Sequence, residues 1–143
     1  MTQNSAKQFE YFKGDAINPE LVTTLAQEWA NKFYPKKEDR QKNAILIKSA
    51  QLRKFYNDVK NLEMRWENSQ DKEKAFREIL PMIKLLKAKA AYANKRTLVP
   101  ESFKSWIWEN VDMINEMKDF KAFLLFFEAV VGFCYGNGLG DNG

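Results

Sequence analysis

A chain of 143 residues suits one domain, and its 45% hydrophobic content with 4 Trp, 5 Tyr and 11 Phe is far from a disordered composition. With no histidine and one cysteine, disulfide frameworks, His/Cys zinc sites and His-based triads are excluded. The net charge of +4 is uneven: residues 1–97 hold 20 Lys/Arg against 12 Asp/Glu, whereas residues 98–143 hold 3 against 7, a split that suits an anionic partner for the first region and a protein partner for the second.

Lys7, Glu10 and Lys13 interrupt the opening residues before any apolar core forms, so no secretory leader is expected. "FEYF" at 9–12 reads as a short element. "INPELVTTLAQEWANKFY" reads as a helix with Asn18 at the N-cap, Pro19 at the first helical position and Glu20 in the first turn. Leu21, Leu25, Trp29 and Phe33 form its core stripe, and Pro35 stops it. After the charged loop "PKKEDRQKN", Ser49 is expected to cap a second helix running to about Trp66. Leu52, Phe55, Val59, Leu62 and Trp66 share its buried stripe, and Arg53, Lys54, Asn57, Lys60 and Asn61 lie opposite.

A third helical region spans 71 to about 96, with Pro81 expected to kink or divide it. Phe76, Ile79, Ile83, Leu86, Ala90 and Ala93 point inward. "VPESFKSWIWENVDMINEM" is the fourth helix, with Phe103, Ile107, Val111 and Ile114 inward. The fifth is expected to start at Asp119 as a cap and continues "FKAFLLFFEAVVGFCY", apolar on nearly every side. Such a helix is either central to a bundle or covered by another subunit. The run from Ala122 to Tyr135 is too short to span a bilayer, so a cytoplasmic protein is expected. The whole reads as an all-α helical bundle of about five helices in a single domain, 1–143, with 1–17 and 136–143 flexible or peripheral.

Enzymatic constellations are missing. No phosphate-cradling Gly loop, metal-ligand spacing or activated nucleophile appears, so a non-enzyme without metal or cofactor is expected. Cys134, inside "AVVGFCY", reads as a structural thiol. Glu128 reads as a partly buried acid beside Lys121 or another base. The informative stretch is "KLLKAKAAYANKR", residues 84–96, with five Lys/Arg and no acid. Lys84, Lys89, Tyr92, Lys95 and Arg96 lie opposite its apolar stripe, with Lys87 at the border. Flexible cations there can reach phosphates, and Tyr92 can stack on a base or sugar. From charge alone, a solvated Lys-rich surface is the competing reading.

"SAQLRKFYNDVKNL", "ILPMIKLLKAKAAYANKR" and "DFKAFLLFFEAVV", in this order and spacing, resemble the small helical subunit of type III-A CRISPR–Cas effector (Csm) complexes. The likeness rests on Ser49, Gln51, Leu52, Arg53, Lys54 and Phe55; on Lys87, Lys89, Tyr92 and Arg96; and on Phe126, Phe127, Glu128 and Ala129. It covers roughly residues 45–135 and departs after Ala129, where this chain reads "VVGFCYGNG". The resemblance implies a non-catalytic helical protein present in several copies. These copies stack along repeat-containing backbone subunits, where guide RNA pairs with target RNA. Target cutting would belong to the backbone subunits. The expected RNA-binding residues are Arg53, Lys54, Lys60, Lys84, Lys87, Lys89, Tyr92, Lys95 and Arg96, acting on phosphates while base pairing reads sequence. A helical protein–protein adaptor with no RNA role is the alternative, and a DNA-binding regulator, lacking any helix-turn-helix signature, comes third.

Overall fold

The computed structural model describes residues 9–141. They form an all-α fold with one small hairpin: β1 (Phe12–Lys13) and β2 (Ala16–Ile17), then helices α1 (Thr24–Phe33), α2 (Ser49–Glu67), α3 (Lys72–Lys84), α4 (Leu86–Lys95), α5 (Glu101–Met113) and α6 (Met117–Gly136). The two strands pair antiparallel, Phe12 opposite Ile17, around Gly14, whose positive φ of 62° is the conformation the tight turn needs.

Helix α6 is the centre of the bundle, which explains its all-round apolar composition. Eight of its residues are buried, including Phe120, Phe123, Phe126, Phe127 and Cys134, and it packs against α1 and α2. Its exposed strip holds Lys118, Lys121, Leu125 and Glu128. Trp106 of α5 stands at the focus of the aromatic core, with ring centroids 5.2 Å from Phe126 and Phe127 and 5.5 Å from Phe33. The stripe read from sequence in α5 omits Trp106. It lies three residues after Phe103, so the true inward face is one residue-row wider. Its indole N–H is buried without a hydrogen bond among the described residues. Asn110, also fully buried, satisfies itself by donating to Trp106 O at 2.8 Å and accepting from the Tyr11 hydroxyl.

Several expected boundaries shift for local reasons. Asn18 does cap, accepting from Glu20 N at 3.1 Å, but it opens a 3-10 turn over Pro19–Val22 instead of the α-helix itself. The β-branched run Val22-Thr23-Thr24 breaks that turn before α1 begins. Ser49 is the first residue of α2 rather than its cap, and its hydroxyl accepts from Arg53 at 3.3 Å. Helix α3 runs through Pro81. The division comes four residues later at Leu85, where the chain turns from packing on α2 to packing on α5. Pro81 is exposed, so the carbonyl that loses its N–H partner faces water. Helix α5 ends at Met113, and the cap of α6 is Glu116. Asp119 sits at the third helical position and accepts from the backbone N–H groups of Asn115 and Glu116 at 3.0 and 2.9 Å.

Both chain ends carry core residues. Residues 1–8 and 142–143 lie outside the described residues, but Phe9 and Tyr11 are buried, Phe9 edge-on to Phe126 at 5.0 Å. After α6, Leu139 folds back into the core, its N–H donating to Cys134 O at 3.1 Å across Gly138 at φ 107°. Within the ends expected to be flexible or peripheral, Phe9, Tyr11 and Leu139 are thus core residues, whereas Lys13–Ala16 and Gly140–Asp141 are exposed. No described helix is long and apolar enough to cross a membrane.

Candidate nucleic-acid interface

The amphipathic pattern of α2 and α4 sets their cations on neighbouring surfaces. The N–H of Lys48 donates to Leu98 O at 3.1 Å, pinning the start of α2 to the end of α4. Farther along, Lys89 Nζ lies 3.1 Å from Asp58 Oδ2 and ties the two helices again. The helices thus run antiparallel. A cleft of about 140 Å³ lies between them, with Gln51, Lys54 and Asp58 on one wall and Lys89, Tyr92 and Arg96 on the other. Thr97, just past α4, holds φ 57°, a left-handed conformation costly for a β-branched residue.

Four of the nine residues expected to bind RNA line this cleft, namely Lys54, Lys89, Tyr92 and Arg96, and Lys95 follows Tyr92 by three residues on the exposed side of α4. Lys54, Tyr92, Lys95 and Arg96 are exposed, with Tyr92 at 65% and the Arg96 guanidinium 5.6 Å from its ring centroid. Lys89 is present but engaged by Asp58. Arg53 points about 100° around α2 from Lys54, lining a separate hollow with Lys48, Ser49 and Asp141.

The other three are directed elsewhere. Lys60 pairs with Glu63 at 2.6 Å and lies on the α6 side of α2, 6.0 Å from the Tyr56 ring. Donation to the Glu63 carboxylate raises its pKa, desolvation opposes this, and the charges of Glu63, Tyr56 and Glu128 add to the rise. Tyr56 itself packs edge-on to Phe127 at 5.8 Å. Lys84 caps α5, donating to Val111 O at 2.9 Å and Ile114 O at 3.1 Å. Lys87 reaches Asp112 at 2.8 Å and lies 4.6 Å from the Trp108 ring centroid.

The acid-free reading of 84–96 is accurate along the chain and misleading in space. Asp58 and Asp112 arrive from α2 and α5 to pair with two of its lysines. Sequence reasoning missed Asp58 as part of the site, although it lies four residues after Lys54, on the same side of α2. Glu128 is exposed rather than partly buried, and Lys121 leans toward the Trp66 ring at 6.0 Å.

A second hollow differs in sign. Glu10, Glu109, Asp112 and Asp119 line a space of about 440 Å³ beside Tyr11. Burial and the nearby Asp119 charge push the Tyr11 phenol well above its usual pKa. Burial likewise pushes the Cys134 thiol up to about 12, holding it protonated and unreactive. Among the described residues, no group of three His, Cys, Asp or Glu side chains is placed to hold a metal ion. The α2–α4 surface can attract a polyanion, whereas the Tyr11 hollow repels one.

A family model described as Csm2 Type III-A matches residues 18–135. Neither the curated proteins nor the solved structures contain a match.

Proposed function

The chain belongs to the Csm2 type III-A family, small subunits of the multi-subunit Csm CRISPR–Cas complex, and from that premise we propose that it is a non-catalytic, cytoplasmic RNA-holding subunit. The open end of the α2–α4 surface grips target RNA, or the guide–target duplex, through phosphates. Several copies stack on one another along the repeat-containing backbone subunits, in contact with guide RNA and the other subunits. The observation that carries this reading is the group Lys54, Lys95 and Arg96, exposed near Tyr92 on α2 and α4, with Asp58 the one acid lining the cleft among the described residues.

Phosphate binding by flexible cations is indifferent to base identity and costs the subunit no chemistry of its own. Each copy makes few contacts, so isolated chains bind weakly. Aligned copies raise the effective concentration of one another's sites. The test is a complex rebuilt with the Lys54→Ala/Lys95→Ala/Arg96→Ala chain. It should assemble with guide RNA at full length and lose target RNA faster than the unaltered complex. Unchanged target retention would contradict the reading and favour a protein–protein adaptor.

A further inference from the structure

The cleft between α2 and α4 carries groups that a phosphate track leaves unused. Its volume of about 140 Å³ is well below the roughly 300–1,000 Å³ of ordinary small-molecule sites. It has room for one planar ring system and not for a whole nucleotide. Its inner surface is apolar, formed by Phe55, Ala93 and Leu98. Tyr92 stands exposed at the mouth with the Arg96 guanidinium beside its ring, two flat groups on which a base can stack.

Asp58 gives the cleft its polarity. Its Oδ2 accepts from Lys89 at 3.1 Å, and a carboxylate has acceptor capacity beyond that one bond. A carboxylate inside a surface meant only for phosphates is a liability, because it repels them. The same carboxylate is an acceptor for an exocyclic amine. Cytosine presents an N4 amine at the position where uracil presents the O4 carbonyl. The two bases are otherwise matched in size, so Asp58 attracts one and repels the other.

We propose that this cleft seats one unpaired nucleobase of the bound RNA strand and favours a base whose exocyclic amine faces Asp58. The inference rests on the RNA-holding role above and adds a base preference to a surface otherwise blind to sequence. Tyr92 and Arg96 stack on the base, Lys54 holds a flanking phosphate, Lys89 stays paired with Asp58, and Asp58 reads the edge.

Fluorescence anisotropy of the full-length chain at low salt, with end-labelled twelve-nucleotide oligocytidylate and oligouridylate, tests this directly. The cytidine strand should bind roughly fivefold tighter, the worth of about one net hydrogen bond. Asp58→Asn should erase that preference, because an amide offers a donor as well as an acceptor. It should also leave both strands bound as tightly or more tightly, since Lys89 is released. Tyr92→Ala should weaken both strands roughly tenfold, as expected for one lost stacking contact, and Tyr92→Phe should restore them.

Equal binding of the two strands by the unaltered chain, with a normal salt dependence, would overturn the base pocket and leave the phosphate track standing. Full preference retained in Asp58→Asn would overturn it too. Cytidine monophosphate competing as well as the oligonucleotide would assign the cleft to a free nucleotide instead. Binding of neither strand would overturn the base pocket, and the RNA-holding role is decided separately by target retention in the rebuilt complex.

Discussion

Residues 84–89 and residues 92–96 belong to one uninterrupted basic stretch, yet the fold uses them in opposite ways. Lys84, Lys87 and Lys89 are each held by a partner from another helix: the last carbonyls of α5, Asp112 and Asp58. Lys95 and Arg96 stay exposed beside Tyr92, and Lys54 joins them from α2. The difference arises from what the neighbouring helices offer: α5 meets Lys84 and Lys87 with its last carbonyls and Asp112, and α2 meets Lys89 with Asp58. Counting charges along a helix therefore overstates the charge available to a ligand. What matters is which cations the neighbouring helices leave free.

The largest expected effect lies at the open end. Removing three cations that each neutralise a phosphate should cost roughly fiftyfold in single-stranded RNA affinity near physiological salt, from a slope of about −0.7 per phosphate. Thermal stability of the Lys54→Ala/Lys95→Ala/Arg96→Ala chain should hardly move, because exposed cations contribute little to folding. A large stability loss would erase the contrast between the two parts.

The engaged end should answer in the reverse sense. Lys84→Met keeps the stem but strips the Val111 and Ile114 carbonyls of their donor. It should destabilise the fold by about 2 kcal/mol in chemical denaturation and leave RNA affinity close to unchanged. A strong RNA defect with intact stability would move Lys84 to the binding side.

The alkaline limb of stability sharpens the picture of the core beneath both parts. The Cys134 thiol ionises at about 12 in the fold against an ordinary value of 9.0. Between those values the native state holds a proton that the unfolded chain has lost. Stability is therefore full below about pH 9 and falls as pH rises toward 12, by about 1.4 kcal/mol per unit from this group alone. Tyr11, also raised, adds to the fall in the same direction. Urea melts of Cys134→Ala should show a shallower alkaline decline than the unaltered chain. An identical decline would place the titration elsewhere.

The smallest effect is at the boundary of the open end. Thr97 holds φ 57° at the end of α4, and Thr97→Asn should stabilise the chain by roughly 1 kcal/mol by relieving that strain. Thermal melting checks the sign.

Core positions are legible in the sequence because periodicity reports burial directly. All five apolar residues assigned to α2 and all six assigned to α3 and α4 are buried. Helix ends are less legible, since they depend on single residues. Ser49 reads as a cap yet is the first helical residue, and Pro81 reads as the dividing point that Leu85 is. The core roles of Phe9, Tyr11 and Leu139 depend on contacts distant in sequence, which no local period encodes. The candidate site is half legible. Its cations follow from the wheel of each helix, but Asp58 and Asp112 become their partners only once three helices pack together.

The most direct measurement is the salt dependence of single-stranded RNA binding for three chains: unaltered, Lys54→Ala/Lys95→Ala/Arg96→Ala, and Lys87→Ala. Plotted as logarithms, the slope should shrink by about 2 in the triple variant and stay unchanged in Lys87→Ala. Equal slopes in all three chains, or a loss confined to Lys87→Ala, would contradict the claim that the open end of the α2–α4 surface holds RNA.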